Sequence, residues 1–97
     1  MTDVLLSLVM PSGIVQAVED LLLDHPELVP GFTTSHADGH GSAVRLVEPA
    51  ELVSGHSPRM QIQLAGNRAD VEAVLALLRE RLPHANIFYW IVPVLAL

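Results

Sequence analysis

The apolar residues of this chain recur with the period of a strand in some stretches and with the period of a helix in others. The clearest strand is residues 59–64 (RMQIQL), where apolar and polar side chains alternate, so that one face is apolar. In segment 14–24 the apolar residues instead recur at the spacing of one helix face. The same tests predict strands at 3–10, from about 32, at 59–64 and at 87–92, and helices at 14–24 and from after Asn67 to about Leu82.

Residues with special backbone preferences mark the ends of these elements. Each predicted helix is followed by a proline, Pro26 or Pro83, and the residue before a proline is disfavoured in the α conformation. Ser12 precedes the first helix and is a residue type that caps helix N-termini. Asn67 and Asp70 resemble a capping box at the start of the second helix. We therefore expect Ser12 and Asn67 to cap the two helices.

The order of the elements, β-α-β-β-α-β, is that of a ferredoxin-like α+β sandwich. In this fold two helices pack on one face of a four-stranded antiparallel sheet. The chain has 97 residues, which is enough for one such domain, so residues 1–97 are predicted to form a single domain. A polar, irregular excursion is expected between the second and third strands, at about 39–58.

The chain carries more apolar residues than so small a domain is expected to bury. Hydrophobic residues make up 51% and charged residues 16% of the sequence, whereas about 45–50% and about 25% are typical. The longest apolar run, 87–97, is shorter than the roughly 18 residues of a membrane span, so no membrane insertion is expected. The second face of the sheet is therefore predicted to be covered by further copies of the chain.

The charged residues and the absence of cysteine limit the possible partners. There are 11 acidic residues against five arginines, lysine is absent, and the formal net charge is −6. Phosphate backbones are bound by clustered Lys and Arg, so a nucleic acid is not an expected partner. Without cysteine there can be no disulfide, thiolate metal ligand or cysteine nucleophile. This composition fits a cytoplasmic protein.

A histidine-bearing segment, SHADGHGS, occupies residues 35–42. On an extended strand His36, Asp38 and His40 project to one side, with neighbours about 6.5–7 Å apart. Adjacent members of this row could share a divalent metal, and Gly39 would permit the bend that brings the two histidines together. His56 could complete the site from the far end of the excursion. Without thiolates, such a site favours zinc, copper, nickel or cobalt.

Other interpretations of this segment stay open. Histidines in glycine-rich loops are often solvated or hydrogen-bonded to the backbone, and the spacing H-x-D-x-H is not an established metal signature. Gly39 and Gly41 flank His40, and glycines so placed are also compatible with a phosphate-binding loop that holds an effector. That signal is weak, because no lysine or P-loop pattern accompanies the two glycines.

The remaining polar and aromatic residues do not indicate a catalytic site. Arg59 and Gln61 are predicted to lie on the wet side of their strand. The run Phe88, Tyr89 and Trp90 favours packing in a core or an interface over stacking against a ligand. Since the sequence contains no G-x-S-x-G or HExxH pattern, no catalytic residue is predicted and the chain is not expected to be an enzyme.

The segments GFTTSHADGHGS and RMQIQLAG, with a long excursion between them, resemble the PII signalling proteins. In those trimers the second strand runs into a flexible T-loop before the third strand. The opening MTDVLLSLVMP, the central GFT…GHG and the ending YWIVPVL resemble more closely a small group of PII-like proteins often encoded beside heavy-metal efflux systems. The resemblance covers essentially the whole chain.

The resemblance implies a homotrimer that binds a small effector and relays its presence to a partner, with a membrane transporter or efflux component as the candidate. PII proteins that bind adenine nucleotides carry a glycine-rich, basic link between the second helix and the fourth strand. Here that link, 82–86, has neither glycine nor arginine, so ATP or ADP binding in that mode is not expected. The tyrosine modified in many T-loops has no counterpart, because the only tyrosine is Tyr89 in a strand.

Three functional hypotheses follow. The leading one is a PII-like trimeric regulator linked to heavy-metal homeostasis, which binds a divalent metal or small effector through His36, Asp38 and His40. The first alternative is a nucleotide-responsive signalling protein that acts on a partner transporter. The second is a small ferredoxin-like enzyme, which would need an enclosed hydrophobic pocket with a suitable acid or base inside.

Overall fold

The nearly continuous apolar segment at the start of the chain forms the centre of the sheet. In the computed structural model, which describes residues 2–40 and 57–95, β1 spans Val4–Pro11. It lies between β3, Ser57–Gly66, and β4, Phe88–Pro93. β2, Thr33–Gly39, is the outer strand beside β3, so the order is β2-β3-β1-β4 and each neighbouring pair is antiparallel. The predicted four-stranded antiparallel sheet is confirmed.

In the described part of the chain, two α-helices connect strands of the sheet. A 3-10 turn, Ser12–Ile14, leads from β1 into α1, Val15–Leu23, and α2 spans Arg68–Arg81 between β3 and β4. The 3-10 turn was not predicted, but every strand or helix bound that was predicted lies within two residues of the observed one. Neither described helix is both long and apolar enough to cross a bilayer.

The two helices begin in different ways. The Asn67 side chain accepts a hydrogen bond from the backbone N–H of Asp70 at 2.8 Å, so the predicted cap of α2 is confirmed. The predicted cap of α1 is wrong. Ser12 belongs to the 3-10 turn, the N-cap of α1 is Ile14, and no side chain caps that end. The turn places Ser12 too early in the chain to reach the first free N–H groups of α1.

Both helices pack on the same face of the sheet, and a hydrophobic core lies between the two layers. Alternate residues of β1 face this core, because successive side chains of a strand point to opposite faces. Leu6 lies opposite Leu64 on one side and Ile91 on the other. The buried apolar residues of the core are Val4, Leu6, Leu8, Met10, Val18, Leu22, Val29, Ile62, Leu64, Val71, Val74, Leu75 and Leu78.

The second face of the sheet, here termed the open face, carries the other residue of each alternating pair. Its members in the ladder between β1 and β4 are Leu5, Ser7, Val9, Phe88, Trp90 and Val92. Phe88, Trp90 and Val92 remain 56%, 45% and 40% exposed. The apolar surplus of the sequence is therefore concentrated here, on the side away from the helices.

The polar part of the open face is less hydrated than its sequence predicts. Arg59 is only 5% exposed, so its predicted place on a wet surface is wrong. Its backbone pairs with Pro11, the last residue of β1, on one side and with Ala37 of β2 on the other. Ser7 is fully buried and its hydroxyl accepts a hydrogen bond from Gln63 Nε2 at 3.2 Å.

Candidate functional site

β2 carries the histidine segment along the outer edge of the sheet. His36 lies opposite Met60 of β3. Thr34, two residues earlier, donates its hydroxyl to the carboxylate of Glu19 on α1 at 2.9 Å. Because alternate residues of a strand share a face, His36 and Asp38 project to the same side of the sheet as Thr34, the side that the helices occupy.

The three predicted metal ligands of this segment are accessible. His36 and Asp38 are exposed on β2, and His40, just beyond the end of the strand, is exposed as well. Asp38 and His40 each have an interaction partner in the folded chain. The extended backbone keeps the side chains of His36 and Asp38 in one row, with the spacing of about 6.5–7 Å expected from alternate strand positions.

Within residues 2–40 and 57–95 no three histidine, aspartate or glutamate side chains form a group that could hold a metal ion. His56, the predicted fourth ligand, lies outside the described residues. A site that combines the row on β2 with His56 therefore stays a prediction.

The glycines assigned to effector binding flank the end of β2. Gly39 is the last residue of that strand and pairs with Ser57, and Asp38 pairs with Pro58. Residues 39, 57 and 58, at the margins of the predicted excursion, thus belong to the sheet. Gly41 lies outside the described residues, and an effector-binding role for the two glycines stays a prediction.

His25, the histidine after α1, helps to form the turn that follows this helix. One ring nitrogen of His25 lies 3.0 Å from the carboxylate of Glu27. The pKa of Glu27 is held below its ordinary value, first by a hydrogen bond from the backbone N–H of Glu27 to its own carboxylate and second by the hydrogen bond with His25. The backbone carbonyl of His25 also accepts hydrogen bonds from Leu28 and Val29, at 3.0 and 2.9 Å. These contacts close the turn that follows α1.

A polar pair that the sequence does not reveal joins α2 to β4. Arg79 Nη2 donates a hydrogen bond to the Tyr89 hydroxyl at 3.0 Å, and its guanidinium carbon lies 5.9 Å from the centre of the tyrosine ring. Tyr89 is predicted above only as a packing residue. Since the pair depends on how residues 82–87 turn the chain, no local pattern could have indicated it.

The family of the chain follows from a match over its full length. Residues 1–97 match the family model described as "Protein of unknown function (DUF3240)". The chain belongs to the DUF3240 family. The sequence of this DUF3240 protein has no match among curated proteins.

Solved structures share the fold of this DUF3240 protein. A DUF3240 family protein from Shewanella baltica is 22% identical, with a TM-score of 0.77 over 100% of this chain and 94% of that chain. CPII, a nitrogen regulatory PII-like protein from Thiomonas intermedia bound to ADP, AMP and bicarbonate, is 17% identical, with a TM-score of 0.65 over 100% and 97%. CutA from Synechococcus elongatus is 15% identical, with a TM-score of 0.68 over 97% and 82%. The ferredoxin-like fold that the PII-like resemblance implies is confirmed.

Proposed function

We propose that this DUF3240 protein is a cytoplasmic, trimeric PII-like regulatory protein that binds a divalent transition metal or another small effector at the outer end of β2. Its output would be the control of a membrane transporter in heavy-metal homeostasis. The observation that carries the proposal is the PII-like architecture over the whole chain, combined with an apolar sheet face on the side away from the helices.

The open face supports self-association. Phe88, Trp90 and Val92 expose apolar surface side by side along β4, and the half-buried Leu5 and Val9 continue it onto β1. The members of the open face on β1 and β4 include no charged side chain. Contiguous exposed apolar surface of this kind marks interaction sites. A second copy of the same apolar β1–β4 surface is the occupant that suits it, and the number three comes from the resemblance to PII proteins.

The chemistry of the β2 row supports a metal effector. His36 and His40 offer imidazole nitrogens and Asp38 offers carboxylate oxygens, which together suit zinc, copper, nickel or cobalt. All three residues are exposed, so a metal reaches them without opening the core. In the proposal, His56 supplies a further ligand, and the bound metal alters the surface at the end of β2 that a partner recognises.

Calorimetric titration of the protein with Zn²⁺, Cu²⁺, Ni²⁺ and Co²⁺ tests the metal part of the proposal. The wild type is expected to bind at least one of these ions at micromolar concentration, and the double variant His36→Ala/His40→Ala to lose at least about tenfold in affinity. His84→Ala is the matched control, because His84 is also exposed but follows α2, away from β2. Wild-type protein that binds none of the four ions would remove the metal from the proposal.

A nucleotide effector is the second candidate, because CPII, which shares the fold, was solved with ADP and AMP. The link 82–86 of this chain has no glycine or arginine to hold a nucleotide in the way that PII proteins do. Thermal-shift measurements with ATP, ADP and AMP separate the two candidates, since a ligand that binds the folded state raises the melting temperature. A rise with nucleotide and none with metal would favour this second candidate.

A cavity lies between α2 and β4, and the residues that line it favour regulation over catalysis. The residues around this cavity in the described part of the chain include no aspartate, glutamate or histidine. The acid or base that a small enzyme would need in an enclosed site could here come only from the Tyr89 hydroxyl, which accepts a hydrogen bond from Arg79 and belongs to a residue that is 46% exposed.

A further inference from the structure

A cavity of about 180 Å³ lies at the end of the helix-sheet sandwich, under the last turns of α2. Leu8 and Tyr89, which are opposite each other in the β1–β4 ladder, line it from the sheet. Leu78 and Leu82 line it from the helix. Ala85, in the link to β4, also borders the space, and its single methyl group leaves it unfilled. The walls of the cavity are therefore mainly aliphatic.

The polar groups of the cavity are an arginine and a phenol. Arg79 and Tyr89 both line it, and the guanidinium donates to the tyrosine oxygen at 3.0 Å. Arginine has five N–H donors, so this bond leaves donors on Arg79 for a ligand. The tyrosine oxygen acts as an acceptor in the pair, so its own hydrogen is available to a second acceptor.

The charge environment favours an anion at this end of the cavity. Arg81, two residues further along α2, lies 3.9 Å from the carboxylate of Glu80. Among the described residues, Arg79 contacts the neutral Tyr89 rather than a carboxylate, through a hydrogen bond to the hydroxyl and a contact with the ring. The C-terminal carbonyls of a helix carry a partial negative charge of about 0.5, which the full positive charge of Arg79 exceeds.

We infer that this cavity binds a small carboxylic acid with an apolar body of about six carbons, in its ionised form. An engineered aliphatic cavity of about 150 Å³ holds a benzene molecule, so the space here, about 180 Å³, matches one ring or a short branched chain. The apolar body contacts Leu8, Leu78 and Leu82. The carboxylate accepts hydrogen bonds from Arg79 and from the hydroxyl of Tyr89, the charge-assisted pairing that arginine makes best. This site is independent of the β2 row.

Benzoate and benzyl alcohol are matched probes for this inference, because they share a ring and differ in charge. Two-dimensional ¹H–¹⁵N NMR of the full chain is expected to show benzoate shifting amide signals of residues 78–89, with half-saturation at about 1 mM or below. Benzyl alcohol should shift the same signals at least about tenfold more weakly, since it lacks the charged group. Absence of any benzoate shift at these residues, or equal binding of the two probes, would overturn the inference.

Three variants locate the site. Arg79→Gln should weaken benzoate binding about tenfold or more, to the level of benzyl alcohol, and Arg81→Gln, on the same helix turn, should leave both probes unchanged. Ala85→Leu fills the cavity and should abolish the binding of both probes, with circular dichroism confirming the fold. Benzoate affinity that is unaffected by Arg79→Gln, or that survives Ala85→Leu in a folded protein, contradicts the proposal.

Discussion

Replacing Trp90 by alanine is expected to weaken self-association of the chain while leaving the subunit folded. Trp90 lies on the open face of the edge strand β4, where it pairs with Ser7, and 45% of it is exposed. Tryptophan is enriched among the residues that dominate binding energy at interfaces. Because Trp90 points away from the helices, its truncation removes little from the core between helices and sheet.

The size of the effect follows from the exposed area. A buried tryptophan side chain removes at most about 250 Å² from solvent, so an exposure of 45% leaves about 110 Å² for a neighbouring copy to cover. At about 25 cal/mol per Å², covering this area stabilises the assembly by about 3 kcal/mol per subunit. Trp90→Ala should therefore lower the association constant by up to about 100-fold for each subunit contact.

Sedimentation velocity over a range of protein concentrations measures this loss directly. Trp90 is the only tryptophan, so the fluorescence of the wild type also reports on the interface, with emission shifting to longer wavelength as the assembly dissociates on dilution. Leu23→Ala is the matched control. Leu23 is an apolar residue that is 66% exposed, but it lies on α1, on the other side of the sheet.

Two results would refute the reasoning. In the first, the wild type sediments as a monomer at every concentration, so that no copy covers the open face. In the second, Leu23→Ala dissociates the assembly and Trp90→Ala does not, so that the helices rather than the open face form the contact.

Three further predictions concern stability, each compared with the wild type at the same protein concentration. Leu6→Ala truncates a fully buried core residue and should lower the free energy of unfolding by about 2–5 kcal/mol in urea denaturation. Asn67→Ala removes the cap of α2 and should cost about 1 kcal/mol in the same assay. The pKa of Glu27 is lowered from its ordinary 4.5 in the folded chain. The ionised Glu27 carboxylate therefore stabilises the fold above pH 4.5, and this stabilisation is lost as the pH falls through the lowered pKa. In Glu27→Gln, the part of the acid-induced fall in melting temperature that Glu27 causes should be absent.

The kinds and order of the elements are predictable from the sequence because they depend on nearby residues. The alternation in 59–64 required a strand, and the observed β3 extends it by two residues at each end. The Asn67 cap was predictable for the same reason, since its partner Asp70 is three residues away. The prediction that Ser12 caps α1 was wrong because nothing in the sequence distinguishes the 3-10 turn between β1 and α1 from the first turn of the helix.

The candidate metal row was predictable only in part. Placing His36 and Asp38 on one side of a strand needs only the alternation of side chains, and β2 has that conformation. Whether His56 comes near them depends on the path of the chain between two strands, which periodicity does not describe. The burial of Arg59 was missed because side-chain exposure depends on residues from other segments of the fold, which strand periodicity does not describe.

By itself the sequence determined the β-α-β-β-α-β order of the strands and helices in residues 2–40 and 57–95, because hydrophobic spacing is a local property. Only the tertiary structure decided which side chains from distant segments meet. The bond between Ser7 and Gln63 joins residues 56 positions apart, and the contact of Arg79 with Tyr89 requires the turn between α2 and β4. Such pairs follow from strand register and helix packing, which many distant residues establish together.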